Sequence, residues 1–262
     1  MRENKRTQTQ NQKKISQKFD SMKGVWRKSG RPGDTGVGYT LESDFNIEEN
    51  TSKKADIAGI ELKTTREDAT NNITLFSQNP LPRGTNSKIR KKYGYPDPEG
   101  EFPSAVVLSS PPIDTLHFTK CKQNEFGFKL YIDESNKRLG LLVKDYKRDL
   151  IISEDFFYSF EFLCKHIEEK LKHVLIDIET RQKIAGEEHF AHKKLISHDD
   201  LTCKRFIQLL KEGKIIFEFR IDVDRSELLM TGKRAGQRNL RYGKPHDHGN
   251  GFRYVRCEAL NE

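Results

Sequence analysis

The chain has 262 residues, 34% of them hydrophobic and 33% charged, with a net charge of +8. That length and apolar content allow a sizeable core, as one large domain or two lobes. No apolar run reaches membrane-spanning length and the N-terminus is polar from its first residue, which argues against a membrane span or secretory leader and for a cytoplasmic protein. The charge is unevenly placed: residues 1–32 carry ten Lys/Arg against two acids, and residues 231–256 carry seven against one. Two basic segments around a slightly acidic body read as walls of a groove for a polyanion, the plainer alternative being a basic tail and a solvated loop. Cys121, Cys164, Cys203 and Cys257 lie far apart with no Cys-x-x-Cys pair, a pattern of reduced thiols rather than a zinc site or disulfide frame.

In chain order, Ile15, Phe19, Met22 and Val25 fall at helical spacing and predict a short basic helix. Gly36-Val37-Gly38 then opens a second helix carrying Glu42. The Lys-Ser/Thr ending of a phosphate-binding loop is absent, so the glycines serve close approach to DNA or to a sheet. Ile73–Phe76 reads as a strand, and residues 80–103, rich in Pro, Gly, Lys and Arg, as an exposed loop. Runs at 105–108, 114–119, 126–132 and 138–144 read as successive short strands, those from Asp114 to Val143 as an antiparallel meander. Phe156, Phe160, Leu163, Ile167 and Leu171 predict a helix opening at Ser153. A short strand is expected over Val174–Ile178, a helix capped by Asp199 and closed before Gly213, and an amphipathic strand from Lys214 to Asp224. Irregular interleaving of this kind predicts a mixed-sheet α/β protein.

The chemistry concentrates in Asp56-Ile57-Ala58-Gly59-Ile60-Glu61-Leu62-Lys63. In a strand, Glu61 and Lys63 share one face while Ile60 and Leu62 face a core. Asp56 has the wrong parity for the Glu61 face, and Ala58-Gly59 can supply the turn or bulge that brings it back. Two carboxylates beside an ammonium suit Mg²⁺ and an attacking water at a phosphodiester; a solvated edge strand with an ordinary ion pair fits the octapeptide alone equally well. In the tail, His246 and His248 flank Asp247, but no further metal ligands stand at telling spacing. The Arg, Asn, Gln and His side chains there, among them Arg238, Arg241 and Arg253, suit readers of base edges.

Gly36-x-Gly38-x-x-Leu41-Glu42, Asp56-x4-Glu61-Leu62-Lys63, Ile73-Thr74-Leu75-Phe76 and His246-Asp247-His248-Gly249-x-Gly251-Phe252-Arg253, in that order, resemble the MvaI/BcnI type II restriction endonucleases. The resemblance implies a PD-(D/E)xK, MutH-like fold of mixed sheet and flanking helices, with two lobes around a DNA cleft. It divides the chain into a basic segment (1–32), core catalytic motifs (33–112) and a remainder carrying recognition elements (113–262), with the lobes interleaved. It implies a monomer cutting double-stranded DNA at a short GC-rich, CCNGG-like site, alongside a DNA methyltransferase acting on the same site. Asp56 and Glu61 would be Mg²⁺ ligands (Mn²⁺ substituting), Glu42 a further active-site carboxylate and Lys63 the residue that orients water or phosphate. Arg238, Arg241, His246, His248 and Arg253 would contact DNA. Ala55 stands where the proline of the fold's name would be. A MutH-like mismatch-repair nickase and a non-catalytic DNA-binding regulator are the competing readings. MutH spaces its aspartate further from Glu-x-Lys and lacks the C-terminal block.

Overall fold

The computed structural model describes residues 13–47, 55–57, 59–69, 72–96, 106–113, 117–121, 125–223, 245–246 and 251–254. The chain divides into two compact units, Met1–Ile73 with Leu163–Phe206, and Thr74–Phe162 with Ile207–Glu262.

In the first unit, helix α1 (residues 13–22) and helix α2 (Gly36–Asp44) accompany a four-stranded sheet. Its strands are β1 (Arg27–Lys28), β2 (Glu61–Arg66), β10 (His173–Ile184) and β11 (Glu187–Asp199), in the order β1-β11-β10-β2. Strand β2 runs parallel to β10 while the other pairs are antiparallel, so the sheet is mixed. Ile15, Phe19 and Met22 of α1 are buried with Leu41, Ile60, Leu62 and Leu175, the apolar stripe of one helix covering the apolar face of β2 and β10. Val25, which shares the helical spacing, lies beyond the helix and is exposed. The β10–β11 hairpin turns at Ala185 (φ 52°) and Gly186 (φ 83°), the paired left-handed geometry that matches strand twist. Val174–Ile178 is therefore only the start of a twelve-residue strand.

In the second unit, β3 (Ile73–Ser77), which begins on the last residue of the first, joins β4 (Tyr95–Pro96), β5 (Val106–Ile113), β12 (Ile215–Val223) and β14 (Gly251–Tyr254) in the order β3-β14-β12-β5-β4. Strand β13 (Pro245–His246) pairs with β12. An antiparallel meander follows the order β6 (Thr119–Lys120), β7 (Phe126–Asp133), β8 (Arg138–Asp145), β9 (Leu150–Ser159). The expected loop at 80–103 contains helix α3 (Thr85–Tyr93), anchored by buried Ile89 and Tyr93 at i, i+4 within a strongly basic sequence.

Two helix boundaries move. Ser153 lies in a strand, because residues 150–159 pair with β8 and bury alternate Phe156 and Tyr158. Helix α4 (Phe160–His166) begins only afterwards and runs into a π-helical turn, Ile167–Leu171. Leu163, Ile167 and Leu171 are all fully buried there. Asp199 ends β11 and contacts His173, so Thr202, whose hydroxyl accepts the Arg205 N–H at 3.2 Å, caps helix α5 (Cys203–Lys211). The thiol expectation also changes: Cys164 and Cys203 form a disulfide, a pairing hidden by 39 residues of separation. Cys121 is buried and takes no part in that disulfide. Among the described residues no helix is long and apolar enough to cross a membrane.

Candidate active site

Strand β2 is the edge of its sheet, so alternate backbone groups face away from β10. The residues before it double back. Ile57 and Ile60 exchange backbone hydrogen bonds of 3.0 and 2.8 Å, closing a two-residue turn with Gly59 at φ 82°. That turn lays Asp56 along the open edge, where its Oδ2 accepts the Leu62 N–H at 2.9 Å. The parity problem of Asp56 is thus solved by a reversal of the chain.

Glu61 and Lys63 project from the same face of β2, and Lys63 Nζ donates to Glu61 Oε1 at 2.6 Å. Glu61 is 1% exposed, and burial pushes its carboxyl above the usual range, opposed by Lys63 and reinforced by the negative charge of Asp56. Lys170, from the π-helical turn, approaches the same Oε1 at 3.4 Å. Sequence inspection missed this lysine; its only local sign is a position beside Leu171 at the flank of the apolar stripe.

Glu42 is placed differently. With Asp56, Thr64, Gly38 and Tyr39 it lines a cavity of about 360 Å³ between α2 and β2. Of the two glycines of α2, packing requires Gly36, where a Cβ would meet the Arg31 carbonyl oxygen at 2.4 Å; one on Gly38 would make only an ordinary contact with Thr64 at 3.8 Å. Asp56 is therefore common to both groupings, the electrostatic neighbour of Glu61 and a wall of the cavity that Glu42 enters.

The donor set fits a hard divalent cation. Glu61 Oε2 is buried and accepts no hydrogen bond among the described residues, while Oε1 is taken by the lysines. No group of three or more His, Cys, Asp or Glu among the described residues is arranged to enclose a metal. An open carboxylate pair is nonetheless the usual protein share of a Mg²⁺ site, which keeps waters and takes substrate phosphates for the rest.

The tail residues belong to the second unit. His246 pairs with Asp222 and Arg253 with Ile216 in the strand ladders. Arg238, Arg241 and His248 lie outside the described residues.

A family model for the MvaI/BcnI restriction endonucleases matches residues 15–260. The chain belongs to that family. Among solved structures, the chain is similar to the restriction endonuclease MvaI in a complex with cognate DNA substrate, at 26% identity over 92% of each chain and a TM-score of 0.77. It also resembles MvaI in the absence of DNA, at 22% identity over 92% of each chain and a TM-score of 0.54, a likeness of fold. None of the curated proteins matches. Membership of the MvaI/BcnI family makes the chain a type II restriction enzyme, a site-specific deoxyribonuclease.

Proposed function

We propose that Asp56, Glu61 and Lys63 form a PD-(D/E)xK centre that hydrolyses one strand of double-stranded DNA per binding event at a short GC-rich, CCNGG-like site. Asp56 and Glu61 would hold Mg²⁺, with Mn²⁺ an effective substitute, and Glu42 would add a carboxylate from α2. When bound, the cation supplies Lewis-acid charge at the scissile phosphate and lowers the pKa of water. Glu61 orients through Oε1, and Lys63 stands where an ammonium can hold the attacking water or a phosphate oxygen. The observation carrying this reading is the buried Oε2 of Glu61, which has no hydrogen-bond partner among the described residues, on a carboxylate that feels the negative charge of Asp56.

His246, His248, Arg238, Arg241 and Arg253 read the bases, and the basic first 32 residues hold phosphates without regard to sequence. The enzyme acts as a monomer in the cytoplasm, with host DNA protected by a methyltransferase of the same specificity. In a plasmid digest with Mg²⁺, discrete fragments whose sequenced ends share one GC-rich site would support this. Slow nicking alone, or cleavage that survives a chelator, would overturn it.

A further inference from the structure

Glu61 is held asymmetrically, with two lysines on one of its oxygens. Both ammonium groups within reach converge on Oε1, Lys63 at 2.6 Å and Lys170 at 3.4 Å, while Oε2 has no partner among the described residues. Lys63 comes from the same strand, two residues along. Lys170 comes from the π-helical turn, whose wider winding is a frequent device for turning a side chain toward a functional group. Its side chain is 18% exposed and that of Lys63 23%, so neither is a freely solvated surface lysine.

We infer that Lys170 is a positioning residue for Glu61, holding Oε1 so that Oε2 faces the cation and Lys63 is released for water or phosphate. The inference rests on the proposed role of Glu61. A carboxylate held from one side has one rotamer and one open oxygen; held by Lys63 alone, it ties down the lysine that the reaction needs. Lys170 also costs something. A positive charge this close to a carboxylate opposes the arrival of a second cation. Its removal should therefore tighten metal binding while slowing cleavage, two opposite changes that damage to the fold would not produce together.

The test compares parent, Lys170→Met and Lys170→Arg. Mn²⁺ binding to the DNA-free protein is followed by the electron paramagnetic resonance of free Mn²⁺. Single-turnover cleavage is followed at saturating Mg²⁺ on a duplex bearing the site mapped from the parent's fragments. For Lys170→Met the Mn²⁺ Kd should fall about 3- to 10-fold. Its cleavage rate should fall about 10- to 100-fold, the usual consequence of a misplaced group. Lys170→Arg, which keeps the charge, should have the parent's Mn²⁺ affinity and recover most of the rate. Parental affinity and rate in Lys170→Met, or a loss of both with Lys170→Arg equally impaired, would overturn the inference. Glu61→Gln separates the two failures. If it cuts like the parent, the role of Glu61 falls and Lys170 with it. If it is inactive while Lys170→Met is normal, only the positioning role falls.

Discussion

Strands β2 and β10 carry buried carboxylates on both faces, Glu61 on one and the Asp177–Glu179 pair on the other, in opposite electrostatic settings. On the face bearing Glu61 and Lys63, two lysines share one carboxylate oxygen and leave the other open. On the reverse face, in register with Thr64 and Arg66, lie Asp177 and Glu179, both fully buried. Arg27 pairs with Glu179 at 2.5 Å and with Asp44, and His192 bonds Asp177. Burial, then the bond to Asp177, pushes Glu179 up to about 8. Burial likewise pushes Asp177 up to about 6 and holds His192 down. One proton on Glu179, donated to Asp177, would give partners to oxygens that have none when both groups are ionised. Such a proton, with the Arg27 guanidinium, would close the reverse cluster on itself. Acidic burial and an unpartnered oxygen occur on both faces; the proposed difference is that the Asp177–Glu179 pair can satisfy itself with one shared proton.

The contrast is sharpest in activity. Asp56→Ala, Glu61→Gln and Lys63→Ala should each lower single-turnover cleavage at least ~1000-fold, since each removes several kcal/mol of transition-state stabilisation. Their melting temperatures should stay near the parent's, and residual cutting by Asp56→Ala above a few per cent would break the assignment. Arg27→Met should do the reverse. It strands buried carboxyls and should cost about 3 kcal/mol in urea unfolding. Cleavage by its folded fraction should be unchanged.

A third prediction uses pH. Because Glu179 is raised from 4.5 to about 8, the folded protein holds a proton that the unfolded chain has released between those values. Its contribution to stability is complete below pH 4.5 and is lost as pH rises through 8. Glu179→Gln should flatten that decline and be several kcal/mol more stable than the parent at high pH. A parental pH dependence of melting in this variant would remove the shared proton from the comparison.

The smallest effect concerns the turn. Nothing lies within 4 Å of a Cβ built on Gly59, so Gly59→Ala meets only its left-handed backbone, at φ 82°. It should cost about 1 kcal/mol in thermal unfolding. Cleavage should also slow, because the same turn sets Asp56 against Leu62.

The octapeptide was legible because its parts are adjacent: alternation fixed the faces of Glu61 and Lys63, and Gly59 signalled the reversal. Lys170 was not, since it reaches Glu61 from a helix distant in sequence through a π-helical turn that apolar spacing does not reveal. Phe156 misled for a related reason. Its spacing to Phe160 and Leu163 fits a helix, yet the ladder to β8 decides the backbone as far as Ser159. Asp177 and Glu179 alternate along β10, but Arg27, Asp44 and His192 reach them from β1, α2 and β11, so no local pattern joins the whole cluster. Family resemblance supplied the order of the motifs, whereas the placement of Glu42 around a cavity shared with Asp56 needed the packing of α2 on β2.

On the proposed function, cleavage depends on Glu61 and its lysines and not on the Asp177–Glu179 pair. The direct measurement is single-turnover cleavage of a mapped site in Mg²⁺ by Glu61→Gln and Glu179→Gln, each first shown to bind that site in Ca²⁺. Glu61→Gln should bind without cutting, and Glu179→Gln should cut at the parent's rate. Cutting by Glu61→Gln, or a folded, DNA-binding Glu179→Gln that cannot cut, would contradict that dependence.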